Sequence, residues 1–308
     1  MEYTVICNYV AGPFATAVVK EKVTLARPGE KRAGPLRVPL RPVYRPAPTA
    51  SRRVRSFFPY GSAMVALATE PPRPGLAVPG LEDEHPLYGT VRMAGREMVL
   101  VLGRQGPDSP FFDRAWLDLD GDGTFGEKEI LAGENHSRSV YLYASFPRFL
   151  VKLPRGLPYA CRLQAMFRPR AARRGGKGAP DPARLEPAEL ARMTWTTLQT
   201  DTALKGSFDL GGEHYRVYLG DTNCDGIFGN PGERGTHPVT GRPMRARPDQ
   251  FFLSAGDRLT YRDRLALDGI LLLAGTLYRT RIEGEVLRLL PLEGPLARLR
   301  LPLALDRL

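Results

Sequence analysis

Leu87 to Gly103 reads LYGTVRMAGREMVLVLG. Two segments of alternating polarity flank Ala94 and Gly95, and a period of two broken by a small-residue turn is the signature of a β-hairpin. The pattern returns without a gap at Leu204 to Gly220, LKGSFDLGGEHYRVYLG. Leu87 and Leu204, Gly89 and Gly206, Gly95 and Gly212, Leu102 and Leu219, and Gly103 and Gly220 coincide. Each hairpin is followed by an acidic string, directly after Gly220 in the second case and after an insertion, Arg104 to Leu117, in the first. Hairpin and string in the same order point to an internal repeat, spanning 87–129 and 204–233.

Residues 2 to 24 form two β segments around Gly12 and Pro13, and strand-like composition returns at Phe57 to Thr69. Prolines alternating with arginines over about 27–55 remove backbone donors and predict an extended linker. Strands are expected at Ser139 to Ala144, Phe149 to Leu153 and Tyr159 to Phe167. A short helix is expected at Pro187 to Met193, where proline suits the first helical position. Short apolar runs after Gly241 continue the β pattern. Many short strands with little helix predict a mainly β fold, sandwich or barrel-like. The division expected is an N-terminal part, 1–86, and a β domain, 87–308.

The acidic strings carry the chemistry. Asp118 to Glu129 reads DLDGDGTFGEKE, and Asp221 to Gly229 reads DTNCDGIFG. A calcium ion takes 6 to 8 oxygens, so alternate carboxylates on a chain that curls at glycine suit it. In the first loop Asp118, Asp120 and Asp122 are the expected side-chain ligands, with the Thr124 carbonyl and a closing Glu129. In the second, Asp221, Asn223 and Asp225 are joined by the Ile227 carbonyl. Gly232 stands at the closing position, so Glu233 must reach the ion after a one-residue distortion. Asn223 also lowers the charge, which predicts weaker binding. Phe125 and Phe228 are the expected apolar anchors. The alternative is that Asp, Asn and Gly here only make tight turns.

Asp118 to Glu129 resembles the loops of EF-hand and dockerin proteins, and Asp221 to Glu233 does so in part. The resemblance implies calcium binding, with two ions, and implies nothing about activity. It stops at the loops. Pro107, Pro110 and Arg114 to Leu117 exclude an incoming helix, and His214 to Leu219 alternates as a strand. A brief helix is expected only over Lys128 to Ala132. A hairpin with an attached calcium loop resembles the calcium-loop β modules of bacterial secreted and surface proteins. Gly121, Gly123 and Gly126 also spell a dinucleotide fingerprint, but three aspartates beside them repel a pyrophosphate.

Charge adds little. The chain has 44 basic and 33 acidic residues, net +11, which favours polyanions. Only seven of the 44 are lysine, so coding bias toward arginine explains much of the excess and disfavours nucleic acid as a partner. Arg170, Arg173, Arg174 and Lys177, in a glycine-rich stretch, are the candidate polyanion contacts. No apolar run approaches the roughly 20 residues of a membrane span. Cys7, Cys161 and Cys224 form no metal or redox motif, and His85, His136, His214 and His237 are isolated. The start of the chain is a poor match to a signal peptide. These observations favour a non-enzymatic, calcium-binding extracytoplasmic protein with a structural, adhesion or assembly role. Its partner would be a protein or glycan surface, or another copy of itself. The rival readings are a glycan hydrolase with structural calcium and a polyanion-binding module.

Overall fold

The computed structural model describes residues 2–11, 15–24, 34–45, 58–59, 61–106, 108–138, 141–153, 156–168, 181–230, 234–237, 240–245, 248–255, 263–265, 267, 269–274 and 276–292. The chain opens with a hairpin of β1 (Glu2–Ala11) and β2 (Ala15–Thr24). Short strands β3 (Leu36–Pro39), β4 (Arg41–Tyr44), β5 (Ser62–Val65) and β6 (Leu67–Ala68) follow. Next come β7 (Leu87–Met93), β8 (Arg96–Gly103), β9 (Arg114–Leu117), β10 (Ile130–Ala132) and β11 (Glu134–Arg138). They lead to β12 (Tyr141–Ser145), β13 (Phe149–Lys152), β14 (Pro158–Phe167), helix α1 (Pro187–Met193) and β15 (Thr194–Thr200). A second series contains β16 (Thr202–Leu210), β17 (Glu213–Gly220), β18 (Arg234–Thr236), β19 (Pro243–Arg245) and β20 (Gln250–Ser254). It ends with β21 (Arg264–Leu265), β22 (Ile270–Leu273), β23 (Thr276–Glu283) and β24 (Val286–Pro291).

All pairings are antiparallel, and the main sheets fall into two pairs. The first pair has orders β10-β9-β8-β7-β6 and β11-β12-β14-β15-β5, with β13 also on β14. The second has orders β21-β20-β17-β16-β4 and β22-β23-β24-β3. The two five-stranded sheets correspond lane for lane, whereas their partner sheets, six-stranded in the first pair and four-stranded in the second, correspond over four lanes, with β11 and β13 extra in the first. The fold is mainly β and sandwich-like, and no sheet among the described residues closes into a barrel.

In each pair one bent edge strand belongs to both sheets. β5 pairs with β15 and, one residue later, β6 pairs with β7; β3 pairs with β24 and β4 with β16. The bends run over the two coinciding glycines. A Cβ on Gly89 would lie 2.8 Å from Val65 Cγ1 and 3.0 Å from the Ala66 carbonyl oxygen. On Gly206 it would lie 2.8 Å from both Leu40 Cδ2 and the Pro39 oxygen. Only a residue without a side chain lets the backbone cross so closely.

The stretch expected as a linker therefore contains strands. Pro39 and Pro42 are accommodated because β3 and β4 are sheet edges, where a missing donor breaks no ladder. The chain leaves the second pair after β4, builds the whole of the first, and returns at β16. The joint is pinned by Asp201, whose buried carboxylate meets Arg148 at 3.1 Å and Arg162 at 2.7 Å, while its carbonyl accepts from the Arg45 amide at 2.8 Å.

The hairpins share one register, Leu87 opposite Leu102 and Leu204 opposite Leu219. Their third lanes match as well: Leu117 of β9 lies opposite Leu100, and Leu253 of β20 opposite Val217. The stretch Arg104 to Leu117, read from sequence as an insertion, thus supplies a regular strand. The acidic loops consequently sit on different connections, the first after β9 and the second between β17 and β20. The brief helix expected over Lys128 to Ala132 is instead a single 3-10 turn at Glu127–Glu129 followed by β10.

Each sheet pair encloses an apolar core. Leu87, Leu100, Leu102, Leu163 and Leu198 fill the first, and Leu204, Val217, Leu219, Leu287 and Leu289 the second. Full burial of such a side chain contributes about 1.5–3 kcal/mol. The cores meet at the second acidic loop, whose Cys224 is buried in the first core and whose Phe228 packs against both. α1 adds Leu190 to the first core.

Candidate metal centre

The first loop begins where β9 ends. The Asp118 amide bonds the Val99 carbonyl at 3.0 Å, which fixes the carboxylate at the sheet's rim, fully buried. Its Oδ1 accepts from Gly121 N at 2.7 Å and its Oδ2 from Gly123 N at 3.1 Å. Both glycines have positive φ, 77° and 89°, so the chain curls around this carboxylate. Asp120 accepts from the Asp122 amide at 3.2 Å. Glu129, raised by the 3-10 turn, reaches back to Leu119 N at 2.6 Å and Gly126 N at 2.8 Å. Oxygens of Asp118, Asp120 and Glu129 consequently lie within 4.8 Å of one another. Oxygen-only donors at this spacing form a group able to hold a metal ion.

Asp122 is engaged differently. It accepts from the Thr124 amide at 2.7 Å and hydroxyl at 2.8 Å, and these bonds hold its carboxyl below the usual range. Thr124 itself is exposed. Phe125 meets its expected role: it is buried with Val99, Val101 and Trp116. The amides of Gly121, Gly123 and Gly126, which a phosphate loop would aim at an anion, are committed to carboxylates.

The second loop has the same conformation in different surroundings. Asp221, fully buried, accepts from Gly226 N at 2.8 Å, as Asp118 does from Gly123. Asp225 accepts from Ile227 N at 2.8 Å, as Asp122 does from Thr124. Positive φ recurs at Cys224 (57°) and Gly226 (77°). Asp221 also accepts from the Tyr159 hydroxyl at 2.5 Å, and the Ala94 amide donates to the Asp225 carbonyl at 2.5 Å. Both contacts lock the loop onto the first sheet pair. Asn223 Nδ2 and Asn230 Nδ2 donate to Asp225 at 2.7 and 2.6 Å, while Asn223 Oδ1 is shut off from solvent without a hydrogen-bond partner. Ile227 is half exposed.

Sequence reasoning missed Asp249. It accepts from Thr222 N at 2.8 Å, Gly229 N at 2.8 Å and Asn230 N at 3.2 Å. Thr222 and Gly229 are the second and ninth residues of their loop, the same two positions that Glu129 holds in the first. The signal was present but remote. Asp113, just ahead of β9, accepts from Gln105 N at 2.7 Å, as Asp249, just ahead of β20, does from Thr222. Glu233, and the basic residues Arg170, Arg173, Arg174 and Lys177, lie outside the described residues.

Burial, then the nearby charge of Asp225, raises the Asp221 carboxyl to about 7. Burial, then the charge of Asp221, raises Asp249 to about 8. Among the described residues, the donors reaching these two carboxylates are a phenol and backbone amides, none of them cationic. Two histidines have ordinary polar partners: His136 bonds Ser145 at 2.9 Å and His214 bonds Asp209 at 2.7 Å. No helix among the described residues is long and apolar enough to cross a membrane. Comparison with protein-family models, curated proteins and solved structures returned no match.

Proposed function

We propose that this chain is a non-enzymatic β protein of the cell exterior in which two calcium ions, one per acidic loop, stiffen stacked sheets for adhesion or assembly. The observation that carries the reading is the group Asp118, Asp120 and Glu129, brought within 4.8 Å with Glu129 folded back to close the loop. Calcium suits it better than magnesium, because curled carboxylate loops offer many oxygens at adaptable distances.

In the second loop the ligands are Asp221, Asn223 and Asp225 with the Ile227 carbonyl, and Asp249 takes the closing role in place of Glu233. A cation there compensates buried carboxylates whose donors are neutral, and it gives the occluded Asn223 Oδ1 a partner. Strands lead into both loops, so ion binding has no helix pair to open and acts as a clamp rather than a switch. Affinity in the range of extracellular modules, about 10⁻⁴–10⁻³ M, matches an exterior location. The shared hairpin register and the paired bends over Gly89 and Gly206 support an origin by duplication, one copy inserted into the other.

Thermal melts of the chelator-treated chain, with and without millimolar calcium, test the clamp. A melting temperature higher by several degrees with calcium is the expected result. An unchanged melt overturns the reading.

A further inference from the structure

Cys161 lies on β14 and Cys224 at the fourth position of the second loop, and both are free and at most 1% exposed. They come from different sheet pairs yet sit in one core, where burial and then the neighbouring Cys224 thiol push the Cys161 thiol well above its ordinary range. Tyr159 flanks them, its hydroxyl 3.6 Å from Cys224 Sγ. The fourth position of the first loop is Gly121, at φ 77°; Cys224 takes φ 57° at the same place. Left-handed backbone is strained for a residue with a side chain. A glycine would avoid that strain, whereas Cys224 at this position places a thiol in the first core.

We propose that Cys161 and Cys224 form a disulfide when the chain folds in oxidising surroundings, stapling the second acidic loop to the first sheet pair. Each thiol gives up its hydrogen and one sulfur–sulfur bond forms. A low-molecular-weight disulfide accepts the two electrons and two protons and leaves as two thiols. Both sulfurs are shielded in the folded chain, so the bond forms during folding, before the loop closes over them. The cross-link does not depend on calcium occupying the loop.

The test is to refold the reduced, denatured full chain in a glutathione redox buffer, alkylate it in denaturant and map the peptides by mass. The expected product joins the Cys161 and Cys224 peptides, with Cys7 alkylated, and melts about 5–10 °C above the reduced form. The Cys7→Ser variant, which removes the competing thiol, is expected to give the same cross-link. Alkylation of both Cys161 and Cys224, or a bridge through Cys7 in the wild-type chain, overturns the proposal.

Discussion

Glu129 and Asp249 hold equivalent places in the two acidic loops. Each carboxylate binds the amides at the second and ninth loop positions, Leu119 and Gly126 for Glu129, Thr222 and Gly229 for Asp249. Glu129 arrives from within its own loop, whereas Asp249 arrives beyond the β18–β19 hairpin, at the foot of the next sheet strand. A shorter side chain just ahead of β20 thus does what the longer glutamate does from a turn.

Removing each candidate closing residue separates the two assignments for the second loop. Asp249→Ala should weaken calcium binding at that loop by at least about tenfold, since a charged ligand is lost. Glu233→Ala should leave it within about twofold. Calorimetric titration of both variants measures this, and the opposite order of effects would return the closing role to Glu233.

Glu129→Ala removes the proposed closing ligand of the first loop and two hydrogen bonds made by its carboxylate. In metal-free protein the loss should be about 2 kcal/mol, read by urea unfolding. Calcium should then stabilise this variant less than it does the parent. A variant that gains as much from calcium as the parent would show that the ion does not use Glu129.

The raised carboxyls give a pH dependence with a definite sign. An unfolded aspartate titrates near 3.9, whereas folded Asp221 and Asp249 titrate at about 7 and 8. Between those values the folded, metal-free chain holds protons that the unfolded chain has released, so this contribution to stability falls as pH rises from about 4 through 8. Calcium bound at the second loop, as proposed, would displace the same protons, so its affinity should rise over that window. Melting curves in chelator between pH 5 and 8.5 should show a declining melting temperature, and added calcium should reduce the decline. A metal-free melting temperature that climbs over this range contradicts the assignment.

The strand crossings give a test of the architecture that is independent of metal. Gly89→Ala and Gly206→Ala each place a methyl within 3.0 Å of backbone oxygen and of a packed side chain. Each should cost about 1–3 kcal/mol by overpacking. Gly95→Ala, where no atom stands within 4 Å but φ is 79°, serves as the comparison for backbone strain alone. Equal stability of the Gly89 variant and the parent would mean the edge strand can move away freely.

The hairpins, the N-terminal strand pair and α1 were legible because periodicity and turn residues act locally. So were the loop curls, where Asp118 and Asp221 tie amides a few residues ahead. What escaped was set by distant packing. Pro39 and Pro42 look like linker residues until β3 and β4 are seen to be sheet edges. Arg114 to Leu117 is too short to stand out as a strand without its lane beside β8. Asp249 is a common turn residue in sequence, and its role depends on β20 pairing with β17 across a long connection. The interleaving of the two sheet pairs is likewise invisible along the chain, because Asp201 with Arg148 and Arg162 reads only as scattered charge.

The most direct measurement is a calorimetric calcium titration of the chelator-treated full chain, with bound ion counted by elemental analysis after gel filtration. Two equivalents are expected, one lost in an Asp118→Ala variant and the other in an Asp249→Ala variant. A parent chain that takes up no calcium at millimolar concentration, with both loops folded, would contradict the proposal.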